Sequence, residues 1–206
     1  MSITSPHAYR FSFTAASLRP ELLRIVAERF LDCGSWDETK KQVLGTNALQ
    51  CRSLASAARM EREIRPRLQT LNPHQLRLLV SSAADSRVAL AWLAAVKHAS
   101  FLFDFSADVL RWKLEQRDPV LRESDYRRFI EEKSCRHPEL AVLSETTTGK
   151  VRRVLFAMLR EAGMLGKGLE IGEIQRQAIP IEVETAIRSD NPAWLAAFLV
   201  PDREIQ

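Results

Sequence analysis

Glycine and cysteine are both scarce in this 206-residue chain, which holds 7 glycines and 3 cysteines. The strong helix formers alanine, leucine, arginine and glutamate dominate, and few stretches alternate apolar and polar residues over the length of a strand. Helix is therefore the expected secondary structure. Because Cys33, Cys51 and Cys135 are odd in number and far apart, they argue against a disulfide scaffold or a zinc knuckle and for a reducing compartment.

Long hydrophobic runs are also missing. The longest charge-free apolar stretches, 88–96 and 192–201, reach about half the length of a membrane span. The N-terminal residues do not combine a basic segment with an apolar one, as a signal peptide does. We therefore expect a cytoplasmic protein that does not cross a membrane, with enough hydrophobic residues (46%) to form a packed core.

The chain matches no nucleotide-binding motif completely. Thr148–Lys150 has the form of the end of a P-loop, but Ser144 stands where the first glycine belongs and Val151 where the magnesium-binding hydroxyl belongs. The glycines within 163–168 follow a predicted helix, whereas a dinucleotide fingerprint follows a strand. No cofactor is therefore expected.

Candidate catalytic residues are few. Asp104 and Asp108 share a predicted helix face and have the spacing of an acid pair, but Arg111 on the same helix offers them an ordinary ion pair. None of the four histidines stands at metal-ligand spacing from another histidine or a cysteine, and no G-x-S-x-G or Cys/His signature is visible. The sequence predicts a protein that is not an enzyme and binds no metal and no small-molecule substrate.

Charge is unevenly distributed along the chain. The net charge is +4 overall, +4 over residues 1–70, +4 over residues 71–169 and −4 over residues 170–206. A basic body suits a polyanionic partner, because neutralised phosphates release their counterions. The alternative is that arginine is simply abundant on solvated helix faces.

Capping signals and apolar periodicity predict an all-α helical bundle. Helix starts are marked by Pro20, by Ser35 with Glu38 as a capping box, and by Asn72-Pro73. Ser124-Asp125 is expected to cap a further helix. The segment 88–96 is apolar nearly all round, which is typical of a helix in the middle of a bundle.

The second half of the chain contains more helices and a candidate boundary. A division near 118–122 separates an N-terminal helical bundle, residues 1–118, from a C-terminal helical part, residues 119–206. Before this boundary, the helix predicted over 101–116 is expected to carry one apolar stripe, formed by Phe101, Phe105, Val109 and Trp112. Further predicted helices cover approximately 20–31, 48–68, 101–116, 146–162, 181–188 and 192–199.

The helix predicted from Ala48 to Leu68 carries the first candidate binding surface. Its apolar side is expected to hold Leu54, Ala57, Ile64 and Leu68. Five arginines form a positive ridge away from that side, for which phosphate contact is the functional interpretation and a solvated face the alternative. They are Arg52, Arg59, Arg62, Arg65 and Arg67.

The helix predicted over 146–162 carries the second candidate surface. Its apolar residues, among them Val151 and Leu155, face the core, and Gly163 ends it. Two short strands, 169–171 and 177–179, are expected to form a small β-ribbon beside it, the order found in a winged-helix module. Amide groups at the helix start also suit a phosphate. The basic candidates are Lys150, Arg152, Arg153 and Arg160.

Several segments together resemble one protein family, the BrxA proteins of bacterial BREX phage-defence systems. They span about residues 10–165, and their order and spacing make the match specific. The segments are Tyr9–Thr14, Gln50–Leu68, Trp92–Lys97 followed by Phe101–Lys113, Ser124–Tyr126, and His137–Leu140 leading into Lys150–Gly163.

The resemblance implies a helical fold similar to that of the antitermination factor NusB, binding of double-stranded DNA, and action beside other BREX proteins in antiviral defence. It supplies no catalytic residues. A rival interpretation is a protein–protein adaptor that binds no DNA itself. On that view the acidic tail docks a larger defence enzyme through Trp194, Leu195 and Phe198.

Overall fold

The computed structural model describes residues 8–205, which form a bundle of helices with one very small sheet. Its α-helices are α1 (Pro20–Cys33), α2 (Trp36–Gly45), α3 (Leu54–Leu68), α4 (Pro73–Ser81), α5 (Ala84–His98), α6 (Ser100–Asp104), α7 (Trp112–Glu115), α8 (Glu123–Ser134), α9 (Glu145–Glu161), α10 (Ile181–Arg188) and α11 (Asp202–Ile205). Three 3-10 helices cover Ser12–Ala15, Pro138–Leu140 and Pro192–Phe198. The all-α prediction is confirmed.

The predicted start and stop signals of the early helices are confirmed. Pro20 opens α1, and Gly34 ends it in the left-handed conformation at φ 68°. At the start of α2 one half of the predicted capping box forms, in which the Ser35 hydroxyl accepts a hydrogen bond from the Glu38 amide at 3.4 Å. Asn72 caps α4 in the predicted place, where its side chain accepts from the Gln75 amide at 2.9 Å.

Two predicted helix starts are displaced. Helix α3 begins at Leu54, six residues later than expected, because Ser53 caps it by accepting from the Ser56 amide at 3.2 Å. Helix α8 begins at Glu123, before the predicted Ser124-Asp125 cap. Asp125 lies in its first turn and accepts from the Arg122 amide at 2.8 Å.

Helix α5 is the central element of the bundle, as its sequence predicts. Every residue from Leu90 to Val96 is buried, and α5 packs against α1, α3, α4 and α6. Trp92 is enclosed and its indole Nε1 donates a hydrogen bond to the Ala197 carbonyl at 2.9 Å. This bond satisfies the one polar atom of the largest core side chain.

The N-terminal arm, residues 8–18, lies against the body along an apolar edge. Tyr9 and Phe13 are buried, and the Tyr9 ring stacks on His137 with centroids 3.7 Å apart. The Tyr9 hydroxyl donates to Asp104 Oδ2 at 2.6 Å, so burial and this carboxylate together raise the pKa of Tyr9. The arm is therefore part of the core packing.

Helices α6 and α7 are joined by a π-helical segment, Phe105–Arg111, into one continuous helix. A π turn takes an extra residue and so shifts the phase of every side chain that follows. Phe101 and Phe105 are buried, but Trp112 is 51% exposed. The prediction that Trp112 shares their apolar stripe is wrong for this reason.

The sheet forms around different residues from those expected. Strand β1 (Val120–Leu121) pairs antiparallel with β2 (Gly172–Glu173), and an isolated bridge joins Leu165 to Ile174. The predicted strands at 169–171 and 177–179 are wrong. The turn occupies residues 166–171, which is earlier in the chain than the turn between the two predicted strands. It lies there because the buried residues Leu165 and Ile174 pair on either side of it.

One hydrophobic cluster includes residues from both sides of residue 118, among them Leu90 of α5 and Leu155 of α9. The division at 118–122 stays a prediction. Within residues 8–205, no single helix is both long and apolar enough to cross a membrane. Helices Ala84–His98 and Ser100–Glu115 meet that requirement only as a pair, and they are bent by 112°.

Candidate nucleic-acid interface

The exposed ridge of α3 consists of three of the five predicted arginines: Arg52, Arg59 and Arg62. Arg59 and Arg62 are three residues apart and so share a helix face, whereas Arg52 lies two residues before the first residue of the helix. Among the described residues, none of the three has a carboxylate oxygen within 4.0 Å. Their charges therefore face solvent.

Arg67 is not part of this surface, which corrects the prediction. It is 1% exposed, and its guanidinium donates to the carbonyl oxygens of Ser17 at 2.8 Å and Ala16 at 2.9 Å. Burial lowers the pKa of Arg67. The arm covers the end of α3. The Arg67 side chain, which would face solvent on an isolated helix, therefore donates hydrogen bonds inside the molecule.

Arg65 is engaged in ion pairs instead of being free on the ridge. Its Nε lies 3.0 Å from Glu61 Oε1, and its Nη1 lies 3.7 Å from Asp37. Glu61 is only 1% exposed, and the Arg65 guanidinium lies close to its carboxylate, although neither Glu61 oxygen accepts a hydrogen bond among the described residues. The Asp37 side chain of α2 is 91% exposed, so its pair with Arg65 adds little to the contact between α2 and α3.

The first turn of α3 projects from the bundle. Residues 52–56 are all exposed, and Leu54, which was expected in the core, is 66% exposed. The predicted core residues Ala57, Ile64 and Leu68 are buried. The apolar face of α3 therefore begins one turn after the helix itself.

Helix α9 presents the second predicted surface. Val151, Leu155 and Leu159 are at most 1% exposed, as expected of its core side. Gly163 follows the helix with φ 73°, which confirms the predicted left-handed stop. The opposite side carries a basic stripe at helical spacing, with Arg153 and Arg160 exposed and Lys150 half-buried. We call Lys150, Arg153 and Arg160 the α9 stripe.

Arg152 lies on a different face of α9. Its guanidinium forms an ion pair with Glu123 of α8 and lies over the Phe156 ring, 5.4 Å from the centroid. Phe156 in turn packs edge-on against Tyr126, with centroids 5.6 Å apart. Burial raises the pKa of Tyr126 to about 12. Arg152 thus holds α9 against α8.

Helices α8 and α9 lie between strands β1 and β2 in the chain, which is the order of elements in a winged helix. The continuous helix Ser100–Glu115 is followed by β1, α8, α9, Leu165, a turn and β2. Strand β2 is flanked by β1 on one side and Leu165 on the other. The Ile174 amide donates to the Pro119 carbonyl at 2.7 Å, which extends the pairing. In that fold the helix in the position of α9 is the one that enters the DNA major groove.

The C-terminal ends of α3 and α9 meet at the N-terminal arm. Arg67 of α3 binds the Ser17 carbonyl, and the neighbouring Leu18 amide donates to Glu161 Oε2 at 2.9 Å. Glu161 is the last residue of α9. The arm is therefore a direct structural link between the two basic helices.

The two carboxylates of the acid pair in the continuous helix share one lysine. Lys133 Nζ lies 2.8 Å from both Asp104 and Asp108, and these carboxylates raise its pKa although burial alone lowers it. The expected partner Arg111 binds Asp202 instead, at 2.5 Å. Within residues 8–205, no group of three histidine, cysteine, aspartate or glutamate side chains is arranged to hold a metal ion.

The acidic tail is used inside the molecule. Leu195 is 0% exposed and Phe198 is 7% exposed, and the half-buried Trp194 packs edge-on against Phe103 at 5.4 Å. The prediction that these three side chains form a docking surface is therefore wrong. The acids also pair internally, as with Asp190 and Lys97 at 2.7 Å.

Two exposed residues were missed by sequence reasoning. Trp112 was assigned to the core, and only the π-helical segment before it reveals its exposure. Lys167 was treated as part of a turn, although its position between two glycines was visible in the sequence. Both residues follow the central helix α5 in the sequence.

The fold and these surfaces define a class: an all-α protein with one two-stranded sheet and exposed basic residues along α3 and α9. A model of the BrxA family matches residues 7–191, and the chain accordingly belongs to the BrxA family. The family prediction is confirmed, and the match extends beyond the segments that carried the resemblance.

Curated relatives agree with this assignment. The BREX protein BrxA of Paramagnetospirillum magneticum (strain ATCC 700264 / AMB-1) is 24% identical over 187 residues, covering 91% of this chain and 94% of the relative. BREX protein BrxA of Escherichia coli O9:H4 (strain HS) is 29% identical over 140 residues, covering 68% and 66%. A crystal structure of an uncharacterized protein from Magnetospirillum magneticum shares the fold, with TM-score 0.81, 22% identity, and 94% and 98% coverage.

Proposed function

We propose that this protein is a non-catalytic, double-stranded DNA-binding component of a bacterial BREX phage-defence system and acts in the cytoplasm. Membership of the BrxA family supports the place in a BREX system, because curated relatives are named BREX proteins. Other BREX proteins are then its expected partners. The engagement of both Asp104 and Asp108 by Lys133 supports a role without catalysis.

The observation that carries the DNA proposal is the α9 stripe. Lys150 and Arg160 are ten residues apart, so the stripe extends over about 15 Å of helix. The DNA major groove is about 12 Å wide and admits an α-helix, with a row of phosphates along each edge. Basic residues on an exposed helix face suit these phosphates and give affinity with little base specificity.

The ridge Arg52, Arg59 and Arg62 provides a second group of unneutralised cations for the same duplex. Its arginines are all exposed, and so are the neighbouring residues 53–56 at the start of α3. Arg65 and Arg152 contribute less, because carboxylates already bind them. We further propose that residues 119–206 carry the winged-helix-like contact and residues 1–118 the ridge contact.

Duplex DNA fits this surface better than a single strand does. Single-strand binders stack bases on exposed aromatic rings that alternate with cations. The only large aromatic side chain exposed among residues 8–205 is Trp112, and it is on neither the ridge nor the α9 stripe. Recognition through duplex phosphates is therefore favoured.

Fluorescence anisotropy with labelled duplex DNA, single-stranded DNA and RNA, each at two salt concentrations, tests the proposal. We expect the duplex to bind most tightly and its affinity to fall steeply as salt rises. Several unrelated duplex sequences should bind within about threefold of one another. Preference for a single strand, or binding that salt does not weaken, would contradict the proposal.

A protein–protein adaptor is the second candidate, and Trp112 is the observation that favours it. This side chain is 51% exposed beside Val109 and Arg128, around a cavity of about 280 Å³. Tryptophan and arginine are the residues most enriched at the centres of protein interfaces. Co-purification of the other BREX proteins with Trp112→Ala, compared with wild type, distinguishes this role from DNA binding.

A further inference from the structure

The segment from Leu165 to Ile174 is a hairpin with a narrow stem. Leu165 bridges Ile174, and the Gly166 amide donates to the Glu173 carbonyl at 2.8 Å. Strand β1 pairs with the other side of this stem. The tip, residues 167–170, is exposed throughout, so it projects from a stem that the sheet holds in place.

The stem requires glycine where its two sides approach. A Cβ atom on Gly172 would lie 2.4 Å from the Gly166 carbonyl oxygen, closer than any side chain tolerates. Gly172 also has φ 153°, a backbone conformation that other residues rarely adopt. These constraints keep the hairpin thin, which is the shape required to enter a narrow groove.

The tip combines one cation, one aliphatic side chain and one carboxylate, Glu170. Lys167 is exposed between Gly166 and Gly168, and Leu169 is 79% exposed. Single exposed leucines are common on protein surfaces, but here the leucine stands two residues from a lysine at the end of a projecting hairpin. Proteins that bind the DNA minor groove use such pairs, with the cation near phosphates and the apolar side chain against a base step.

The hairpin is fixed to the end of α9. Arg160 of the α9 stripe donates to the Ile171 carbonyl at 2.9 Å, and the Gln177 side chain donates to the Gly163 carbonyl at 2.6 Å. The hairpin also contains Glu170 and Glu173, and Glu170 contributes after Asp118 and Asp125 to the raised pKa of Arg122. The stem of the hairpin is therefore hydrogen-bonded to the last turn of α9 through Arg160.

We propose that this hairpin is a wing that enters the minor groove beside the major groove occupied by α9, with Lys167 and Leu169 as its contacts. The inference rests on the proposed duplex binding and adds a second groove to it. The narrow minor groove has an enhanced negative potential, which attracts a lysine inserted into it. Leu169 contacts sugars and base edges there.

The test is hydroxyl-radical footprinting and anisotropy with a duplex of about 30 base pairs, three helical turns. Wild type should protect one minor-groove segment that Lys167→Ala/Leu169→Ser leaves unprotected, and the variant should bind about three- to tenfold more weakly. The control Arg77→Ala/Ile181→Ser removes an exposed cation and a 75%-exposed aliphatic side chain from α4 and α10, and should behave as wild type.

The possible outcomes distinguish the proposed minor-groove contact from the proposed duplex binding on which it rests. If the wing variant keeps wild-type affinity and footprint while α9-stripe variants lose both, the wing is overturned and duplex binding stands. If wild type protects no duplex, both proposals fail. Thermal melting checks that each variant is folded, and Lys167→Glu, which keeps Leu169, should weaken binding more than Lys167→Ala.

Discussion

Helices α3 and α9 each carry several basic residues, but the surrounding structure uses them in different ways. On α3 the arm covers the C-terminal turn, and Arg67 becomes an internal donor to the carbonyls of residues 13–17. On α9 the arm reaches only Glu161, through the Leu18 amide, and Arg160 remains exposed beside the hairpin. The same residue type is thus structural or accessible according to which segment packs over it.

The difference also separates the two candidate DNA contacts. The ridge Arg52, Arg59 and Arg62 extends from just before α3 to the middle of that helix. The α9 stripe adjoins the hairpin, because Arg160 donates to the Ile171 carbonyl. We therefore expect α9 to supply the larger share of duplex affinity.

Arg67→Ala is expected to destabilise the protein by about 3 kcal/mol, because it leaves buried carbonyls without their charged donor. Arg62→Ala, which removes an exposed side chain of the same helix, should change stability by less than about 0.5 kcal/mol. Urea denaturation followed by circular dichroism measures both. Equal effects would show that the arm does not depend on Arg67.

Removing the α9 stripe should weaken duplex binding about tenfold to hundredfold at moderate salt. The triple variant is Lys150→Ala/Arg153→Ala/Arg160→Ala. The ridge variant Arg52→Ala/Arg59→Ala/Arg62→Ala should lose less, about tenfold, and each triple should flatten the salt dependence by up to three contacts. Anisotropy at several salt concentrations gives both quantities. A larger loss in the ridge variant would reverse the comparison.

Gly172→Ala should lower the free energy of unfolding by about 1–3 kcal/mol. The alanine Cβ would meet the Gly166 carbonyl oxygen, and alanine would be strained in the backbone conformation of Gly172. The matched change Gly149→Ala, inside α9 with nothing within 4 Å of the new Cβ, should instead stabilise by about 0.5–1 kcal/mol. Thermal melting distinguishes the two signs. A neutral Gly172→Ala would mean that the hairpin stem is loose.

The smallest effect concerns pH at the start of the winged-helix-like unit. Hydrogen bonds from Lys113 and Arg122 lower the pKa of Asp118 to about 2. Because the folded pKa lies below the unfolded value of about 3.9, this stabilisation is complete above pH 4 and is lost as pH falls toward 2. Asp118→Asn should show a flatter stability profile in that range by acid titration. A profile as steep as that of wild type would exclude Asp118 as its source.

Much of the fold follows from local signals in the sequence. The caps at Ser35 and Asn72, the glycine stop at Gly163 and the apolar run in α5 are all properties of neighbouring residues, so they were predictable. The core side of α9 was predictable for the same reason, because Val151, Leu155 and Leu159 recur at helical spacing.

The errors arise where distant segments decide the outcome. Nothing near Arg67 indicates that residues 13–17 will cover it, and nothing near Trp112 indicates the π turn that rotates it outward. The sheet was misplaced because β1 and β2 are more than fifty residues apart and two residues long, too short for a pattern. The exposed basic residues of α3 and α9 were predictable from the sequence. Which neighbouring arginines are buried or ion-paired, as Arg67 and Arg65 are, was not.

The N-terminal arm has a consequence for the order in which the chain folds. The Tyr9 amide binds Glu139 across 130 residues and the Leu18 amide binds Glu161 across 143 residues. Closing loops of that length carries an entropic cost of about 4 kcal/mol before any contact compensates it. During synthesis the arm leaves the ribosome well before its partner Glu161 in α9, which lies 143 residues further along the chain. The arm can therefore dock on α3 early, through Arg67, but its contact with α9 forms late.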